Sequence, residues 1–161
     1  MVEVGDATPA FCLPGAGKQE ICLESYKGKW LVLYFYPKDN TSGCTREAVD
    51  FTAALPELHE LGADVVGISR DSPASHEKFA EKNGLKVLLL SDQDHKITEA
   101  YGAWALKKMY GKVSFGVVRS TFLVDPKGRI ARIWRKVKVD GHAQGVIGAL
   151  QELQRIGGKK K

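Results

Sequence analysis

The sequence has only three cysteines, and no apolar stretch approaches the roughly 20 residues that cross a bilayer. Secreted scaffolds held together by many disulfides are rich in cysteine, so that class of protein is excluded. Residues 1–11 lack a basic region followed by a long apolar one. We therefore expect no secretory signal and a cytoplasmic protein.

Several motifs that carry chemistry in other proteins are also missing. The chain has no C-x-x-C pair of a thioredoxin-type oxidoreductase, and it has neither of the common glycine-rich motifs that bind nucleotide phosphates. Its histidines do not show the spacing of metal ligands, and Cys12 and Cys22 are too far apart for a zinc knuckle. We predict neither a metal nor another cofactor.

The composition is that of a folded protein. Of the 161 residues, 43% are hydrophobic and 27% are charged, with a formal net charge of +5. This predicts a single domain over residues 1–161 with a packed core. Three of the positive charges come from lysines at 159–161, and we predict that residues 157–161 form a flexible basic tail. A nucleic-acid tether is the alternative, but the run is short and contains no aromatic residues.

Strands and helices are predicted to alternate along the chain. Two short apolar stretches around a turn-rich segment predict an N-terminal hairpin with arms at residues 11–13 and 21–23. Further strands are predicted at residues 30–36, 64–69, 87–90, 120–124 and 130–134, and helices at 44–61, 73–83, 95–101 and 146–156. Pro56 should bend or break the first helix near Leu55. This order predicts an α/β fold of thioredoxin-like architecture, with a mixed sheet flanked by helices.

Cys44 lies where the buried strand at residues 30–36 gives way to the first long helix. Open α/β sheets place their sites at the carboxyl ends of strands. Thr41 or Ser42 can cap the helix, which puts Cys44 in or just before the first turn. Unpaired N–H groups and the helix dipole there favour a thiolate, the nucleophilic form of cysteine. An inert buried cysteine is the alternative, but Gly43 and the strand-to-helix junction favour a reactive one.

The stretch Pro37-Lys38-Asp39-Asn40-Thr41-Ser42-Gly43-Cys44 resembles the P-x-x-x-T-x-x-C signature of the peroxiredoxins. Four longer strings are similar to the bacterioferritin comigratory protein, or Q-type, subfamily: GDATPAFCLP, SYKGKWLVLYFYP, YPKDNTSGCTREA and YGAWALKKMYGKVSFGVVRSTFLVDPKGRI. The resemblance covers residues 5–153, nearly the whole chain.

The resemblance implies a thiol-dependent peroxidase that reduces hydrogen peroxide and organic hydroperoxides. Cys44 would be the peroxidatic cysteine, whose thiolate attacks a peroxide oxygen and becomes a sulfenic acid. Thr41 would accept a hydrogen bond from the peroxide, and Arg119 would stabilise the thiolate and the developing charge. Pro37 would shield the thiolate from water. A helix cap, a surface arginine and a strand end are the simpler explanations of these three residues. Glu47 would anchor an arginine, or act only as a first-turn acid.

The sequence departs from the subfamily in its resolving cysteine. Many relatives carry that residue five positions after the peroxidatic cysteine, where this chain has Val49, and others carry it in the next helix, where this chain has none. A sulfenic acid would then be reduced by an external thiol such as thioredoxin, glutaredoxin or a small thiol. We expect Cys12 and Cys22 to be apolar core residues. A disulfide between them, or resolution of Cys44 by one of them, are the alternatives.

A peroxide sensor is the second function that the sequence allows. With Val49 in place of the resolving cysteine, Cys44 could oxidise while turnover stays slow, and the oxidised protein would then signal to a partner. Q-type relatives are often monomers. We therefore predict a monomer that acts on a peroxide, with a thiol reductant as its partner and with no nucleic acid or membrane partner.

Overall fold

The computed structural model describes residues 2–159, in which strands and helices alternate. The strands are β1 (Cys12–Pro14), β2 (Glu20–Cys22), β3 (Trp30–Phe35), β4 (Ala63–Ser69), β5 (Leu88–Ser91), β6 (Trp104–Met109), β7 (Lys112–Val117), β8 (Ser120–Val124) and β9 (Ile130–Arg135). The helices are α1 (Ser42–Glu60), α2 (Pro73–Asn83), α3 (Lys96–Ala100) and α4 (His142–Lys159). Within residues 2–159, no helix combines the length and the apolar character needed to cross a membrane.

The central sheet has the strand order β5-β4-β3-β8-β9. Strand β3 pairs in parallel with β4 and antiparallel with β8, so the sheet is mixed. Because β3 is covered on both faces, its run is apolar throughout. Val32 and Tyr34 pack on the face that carries α1 and α4, whereas Leu31, Leu33 and Phe35 pack on the opposite face. The predicted thioredoxin-like fold is confirmed.

A bend or a break was predicted near Leu55, but helix α1 runs unbroken through Pro56, so the break is wrong. Proline inside a helix removes one backbone hydrogen bond and costs ~3 kcal/mol. Leu55 and Leu58, on either side of Pro56, are both buried in the core. Tertiary packing of this face outweighs the local cost, as it does in most protein helices.

The N-terminal hairpin is present, but its cysteines are not core residues. Strands β1 and β2 pair antiparallel with Cys12 opposite Cys22, and a disulfide joins the two. Cys12 is exposed and Cys22 is half-buried, while Phe11 and Leu13 are buried. Successive side chains of a strand point to opposite faces, so once Leu13 points inward, Cys12 points outward.

A second hairpin, formed by β6 and β7, is absent from the sequence predictions. Its turn is Tyr110–Gly111, and both residues have positive φ, 53° and 77°. Such a pair is typical of a two-residue hairpin turn, but tyrosine is an unusual residue at the first position. Leu106 and Phe115, which face each other across the ladder, are both largely exposed. The strands therefore lack the buried face that makes a strand easy to predict.

Helix α4 extends further than predicted at both ends. It begins at His142 and continues through Gly157 and Gly158 to Lys159. The tail predicted over residues 157–161 therefore begins inside this helix. Residues 160 and 161 lie outside the described part of the chain.

Candidate active site

The loop between β3 and α1 places Cys44 near the carboxyl end of strand β3. Asn40 adopts a left-handed conformation, with φ 66°, which asparagine tolerates better than most residues. Thr41 follows in the N-cap position, yet its hydroxyl makes no capping bond and donates instead to the Lys38 carbonyl at 2.9 Å. Cys44 is the third residue of α1 and is only 1% exposed. Pro37, half-buried, lies at the start of the same loop.

Arg119 reaches Cys44 because β8 runs antiparallel beside β3. The register pairs Phe35 with Ser120, which places Arg119 next to the end of β3. Its guanidinium donates from Nη2 to Cys44 Sγ at 3.2 Å and from Nη1 to Glu47 Oε1 at 2.6 Å. The structure thus brings together the cysteine and the arginine that the sequence motifs singled out. Glu47 is the anchor of that arginine.

The Glu47 carboxyl is buried one helical turn from Cys44. Burial raises the pKa of Glu47 to about 7, although the charge and hydrogen bond of Arg119 oppose the rise. Its second oxygen, Oε2, has no hydrogen-bond partner within residues 2–159. Burial alone would lower the pKa of Arg119, but Glu47 and Cys44 raise it, so the guanidinium stays charged.

Two glycines leave room for the side chains around Cys44. A Cβ added at Gly43 would lie 3.3 Å from Arg119 Nη2, so a side chain there would crowd the guanidinium. A Cβ added at Gly67 would lie 2.6 Å from Cζ of Tyr34, a buried ring that stacks on Phe51 with centroids 4.9 Å apart. The Tyr34 ring can therefore occupy its position only because Gly67 has no side chain.

Lys107 brings a second cation to this region, and the sequence analysis missed it. Burial and the charge of Arg119 lower the pKa of Lys107, while Cys44 acts in the opposite direction. Its chain lies over β7, where a Cβ on Gly116 would be 3.3 Å from Lys107 Cδ. The pairing of β6 with β7, which ends just before Arg119, is the signal that could have found it.

His142, the first residue of α4, stays neutral near the site. Its Nε2 lies 2.8 Å from Thr121 Oγ1, and its ring meets Phe51 and Trp134 edge to face. Burial, reinforced by the charge of Arg119, lowers the pKa of His142 to about 4. It adds no positive charge at neutral pH.

A buried hydrogen-bond network ties the loop before α1 to helix α2. Asp39 Oδ1 accepts from the Tyr36 hydroxyl at 2.6 Å, and Oδ2 accepts from Ser75 Oγ and His76 Nδ1, each at 2.8 Å. His76 Nε2 lies 3.0 Å from the Leu90 carbonyl. Burial acts to raise the pKa of Asp39, but the bonds from His76, Tyr36 and Ser75 outweigh it and hold that pKa below its usual value. No local pattern indicates that the loop and α2 meet here, because Asp39 and His76 are 37 residues apart in sequence.

Two groups of side chains bring three possible metal-ligand atoms within 4.8 Å of one another: Cys12, Glu20 and Cys22, and Asp39, Asp71 and His76. In the first group the two sulfurs are bonded to each other. In the second, His76 Nδ1 faces Asp39, and Asp71 Oδ2 accepts from the Asp39 amide at 2.8 Å. Both groups are thus engaged in bonds of their own.

Comparison with known proteins gives a consistent result. The pattern of the AhpC/TSA family matches residues 4–133. The chain is 46% identical to peroxiredoxin Bcp of Bacillus subtilis, over 94% of this chain and 97% of that protein. The structure of Xanthomonas campestris bacterioferritin comigratory protein, from a study of its alkyl peroxide reduction activity, is similar with a TM-score of 0.87 at 45% identity, covering 94% of this chain and 96% of that one. A cysteine-to-serine mutant of Xylella fastidiosa PrxQ gives 0.90 at 39% identity, covering 96% and 98%.

Proposed function

Because this chain belongs to the AhpC/TSA family and is a peroxiredoxin of the Bcp, or Q, type, we propose that it reduces peroxides with Cys44 and is recycled by an external thiol such as thioredoxin. Family membership makes the protein a thiol peroxidase and leaves the residues to be assigned. One observation carries the assignment of Cys44: a charged guanidinium, that of Arg119, donates to its buried sulfur at 3.2 Å.

The reaction begins with attack of the Cys44 thiolate on one peroxide oxygen. The O–O bond breaks, the second oxygen leaves and takes a proton to become water or an alcohol, and the sulfur becomes a sulfenic acid. The sulfur loses two electrons and the peroxide gains them. Negative charge moves from sulfur to the leaving oxygen, and Arg119 lies where it stabilises both.

Thr41 and Pro37 shape the space that the peroxide enters. The Thr41 hydroxyl gives its proton to the Lys38 carbonyl, so the lone pairs on Oγ1 remain free to accept a hydrogen bond from the peroxide. We assign to Pro37, half-buried at the start of the same loop, the shielding of the sulfur from water. Glu47 positions Arg119 and does not contact the peroxide. A small substrate offers few groups to hold, so such orientation carries much of the catalysis.

Intact-protein mass tests the assignment of Cys44. The protein is prepared with the Cys12–Cys22 disulfide closed, which leaves one free thiol, and receives one equivalent of hydrogen peroxide. We expect a gain of one or two oxygens in the wild type and no gain in Cys44→Ser. An equal gain in Cys44→Ser would refute the assignment.

Steady-state turnover separates a peroxidase from a peroxide sensor. With thioredoxin, its reductase and NADPH, a peroxidase consumes NADPH through many cycles, whereas a sensor stops after about one equivalent of peroxide. We expect many cycles. A cytoplasmic location, which we also propose, would supply the reductant, because cytoplasmic thiol systems keep cysteines reduced. A single cycle with every thiol tested would contradict the peroxidase and favour the sensor.

A further inference from the structure

We propose that Cys12 and Cys22 form a second redox centre, which takes the oxidising equivalent of Cys44 from a second copy of this chain and presents it to the external thiol as an exposed disulfide. The inference rests on the proposed function, because it starts from a sulfenic acid at Cys44. It assigns the resolving step to residues outside the peroxide site.

A sulfenic acid at Cys44 finds no thiol in the neighbouring helices. Five residues further along α1 the chain has Val49, and α2 contains no cysteine. Since the sequence has three cysteines in all, the only other thiols are Cys12 and Cys22. Any resolving thiol that the chain itself supplies must therefore come from the hairpin.

The hairpin holds its two sulfurs where a thiol can reach them. Cys12 and Cys22 face each other across strands of only three residues each, and Cys12 is exposed. The hairpin does not depend on the disulfide alone for its place. Phe11 and Leu13 anchor it in the core, and Gly15 forms a β-bridge to Leu90 of the sheet edge. Disulfides of cytoplasmic proteins are usually transient and catalytic, which fits a bond that opens and closes on a fixed scaffold.

A carboxylate lies beside the hairpin sulfurs, since an oxygen of Glu20 is within 4.8 Å of both. Where the hairpin thiols ionise, this negative charge opposes their thiolates and so favours the closed disulfide. The transfer runs toward the hairpin because a sulfenic acid condenses with a thiol to form a disulfide and water.

The fold keeps the two centres of one chain apart. Cys44 packs on the face of the sheet that carries α1, whereas Leu13 of the hairpin packs on the opposite face. Cys44 follows β3, and the hairpin joins the edge strand β5, which is two strands away. At about 4.8 Å per strand, that alone is roughly 10 Å. A disulfide needs Cα atoms within about 7 Å, so the proposal brings the sulfurs together by docking the hairpin of one copy at Cys44 of another. Because Cys44 is only 1% exposed, this docking requires the first turn of α1 to open.

The transfer takes place in two balanced steps. The more exposed Cys12 attacks the Cys44 sulfenic acid, an S–S bond forms between the two chains, and the hydroxyl leaves as water with the thiol proton. Cys22 then attacks Cys12 Sγ, closes the hairpin disulfide and releases Cys44 as a thiolate. Overall, one dithiol is oxidised and one sulfenic acid is reduced. An external dithiol later reopens the exposed bond.

The test starts from fully reduced protein under anaerobic conditions. After one equivalent of hydrogen peroxide, free thiols are alkylated and located by peptide mass. We expect Cys12 and Cys22 to be joined and Cys44 to be alkylated. Once the peroxide has been consumed, the rate constant for closing the hairpin disulfide should rise in proportion to protein concentration. In the double variant Cys12→Ser/Cys22→Ser, we expect Cys44 to be oxidised and to remain so.

Single variants trap the intermediate. In Cys22→Ser the second step is blocked, and we expect a Cys12–Cys44 disulfide between chains, seen as a dimer on a non-reducing gel. Cys12→Ser is the matched control and should give less dimer, because Cys22 is half-buried. Cys44→Ser should form no hairpin disulfide on the timescale of the wild type.

Three results would overturn the inference. They are a hairpin disulfide that forms equally fast in Cys44→Ser, a rate that is independent of protein concentration, and a Cys22→Ser protein that stays monomeric with Cys44 over-oxidised. Failure of the proposed function looks different. In that case Cys44 remains a thiol in the double variant after peroxide is added.

Discussion

Cys44 and the Cys12–Cys22 pair place sulfur in opposite surroundings. Cys44 is buried at the start of a long helix, and the Arg119 cation donates to it at 3.2 Å. The pair lies on a short hairpin at the surface, with the Glu20 carboxylate within 4.8 Å. A cation stabilises a lone thiolate, whereas an anion favours the closed disulfide. Under the two proposals above, the charge beside the sulfur separates a centre that attacks peroxide from one that stores its oxidising equivalent.

The two regions also differ in how tightly they are packed. Around Cys44, Gly43 and Gly67 are places where a single methyl group would meet Arg119 or Tyr34. At the hairpin tip, a Cβ on Gly17 would meet nothing within 4 Å. Precise placement of a guanidinium needs a close-packed site, whereas thiol exchange at the surface needs access.

The largest effect is expected from replacement of Arg119, the cation that lies beside Cys44 and not beside the Cys12–Cys22 pair. In Arg119→Met we expect the rate constant of Cys44 with hydrogen peroxide to fall by about 10²–10³, the usual cost of losing a donor to a developing negative charge. Stopped-flow measurement under pseudo-first-order conditions tests this. Arg46→Met is the matched control. Arg46 is an exposed arginine on α1, the helix that carries Cys44, and it pairs with Asp50 at 3.9 Å. Similar rates in both variants would show that Arg119 does not act on the sulfur.

A methyl group at Gly67 should disturb the buried centre and spare the hairpin. Gly67→Ala would push a Cβ to 2.6 Å from the Tyr34 ring, and we expect a loss of about 1–3 kcal/mol in the free energy of unfolding. Urea denaturation measures the loss. Gly148→Ala is the control, because its Cβ would meet nothing within 4 Å on the exposed face of α4. Equal stability of the two variants would mean that Tyr34 moves aside freely.

The buried carboxyl of Glu47 should make stability depend on pH. Burial raises its pKa from 4.5 to about 7, so between these values the folded protein binds more protons than the unfolded one. Stability therefore falls as pH rises from about 4.5 to 7, by at most about 1.4 kcal/mol per pH unit. Urea denaturation across this range should show that fall in the wild type relative to Glu47→Gln. The exposed Glu57→Gln should follow the wild type, and a Glu47→Gln curve parallel to it would contradict the burial effect.

The smallest effect concerns the anion at the hairpin. In Glu20→Gln we expect the Cys12–Cys22 disulfide to be reduced more easily above a pH of about 9, where reduced cysteines are thiolates. Its equilibrium against glutathione should shift severalfold there, because one charge at this distance from a thiolate in water is worth about 1 kcal/mol. Alkylation and mass measurement after equilibration test the shift. Glu24→Gln, a neighbouring exposed acid, serves as the control. A shift in the opposite direction would remove Glu20 from the argument.

Local patterns were enough for most elements of the fold. The start of α2 at Pro73 and its end at Asn83 agree with the prediction, since proline suits the first helical turn and Gly84 closes the helix with φ 59°. The predictions failed where tertiary packing outweighs a local backbone preference. Pro56 was expected to bend or break α1, but the helix is continuous, because the burial of Leu55 and Leu58 outweighs the cost of the proline.

In the candidate site too, some features follow from neighbouring residues in the sequence and others only from the fold. Cys44 at a helix start can be read from the sequence, because strand, turn and helix signals are adjacent. The Arg119 contact spans 75 residues and depends on the pairing of β8 with β3, so it was expected only from the family resemblance. The Asp39–His76 network spans 37 residues and carries no motif.

The amino-acid sequence by itself determined the order of most elements, the place of Cys44 at the start of a helix and the presence of Val49 where many relatives have a second cysteine. These follow from near neighbours in the chain, where side-chain period and backbone geometry act directly. Only the tertiary structure decided that Arg119 meets Cys44, that Glu47 is buried beside them, and that Cys12 and Cys22 are joined outside the core. Sheet register and burial set those contacts, and both depend on residues far apart in sequence.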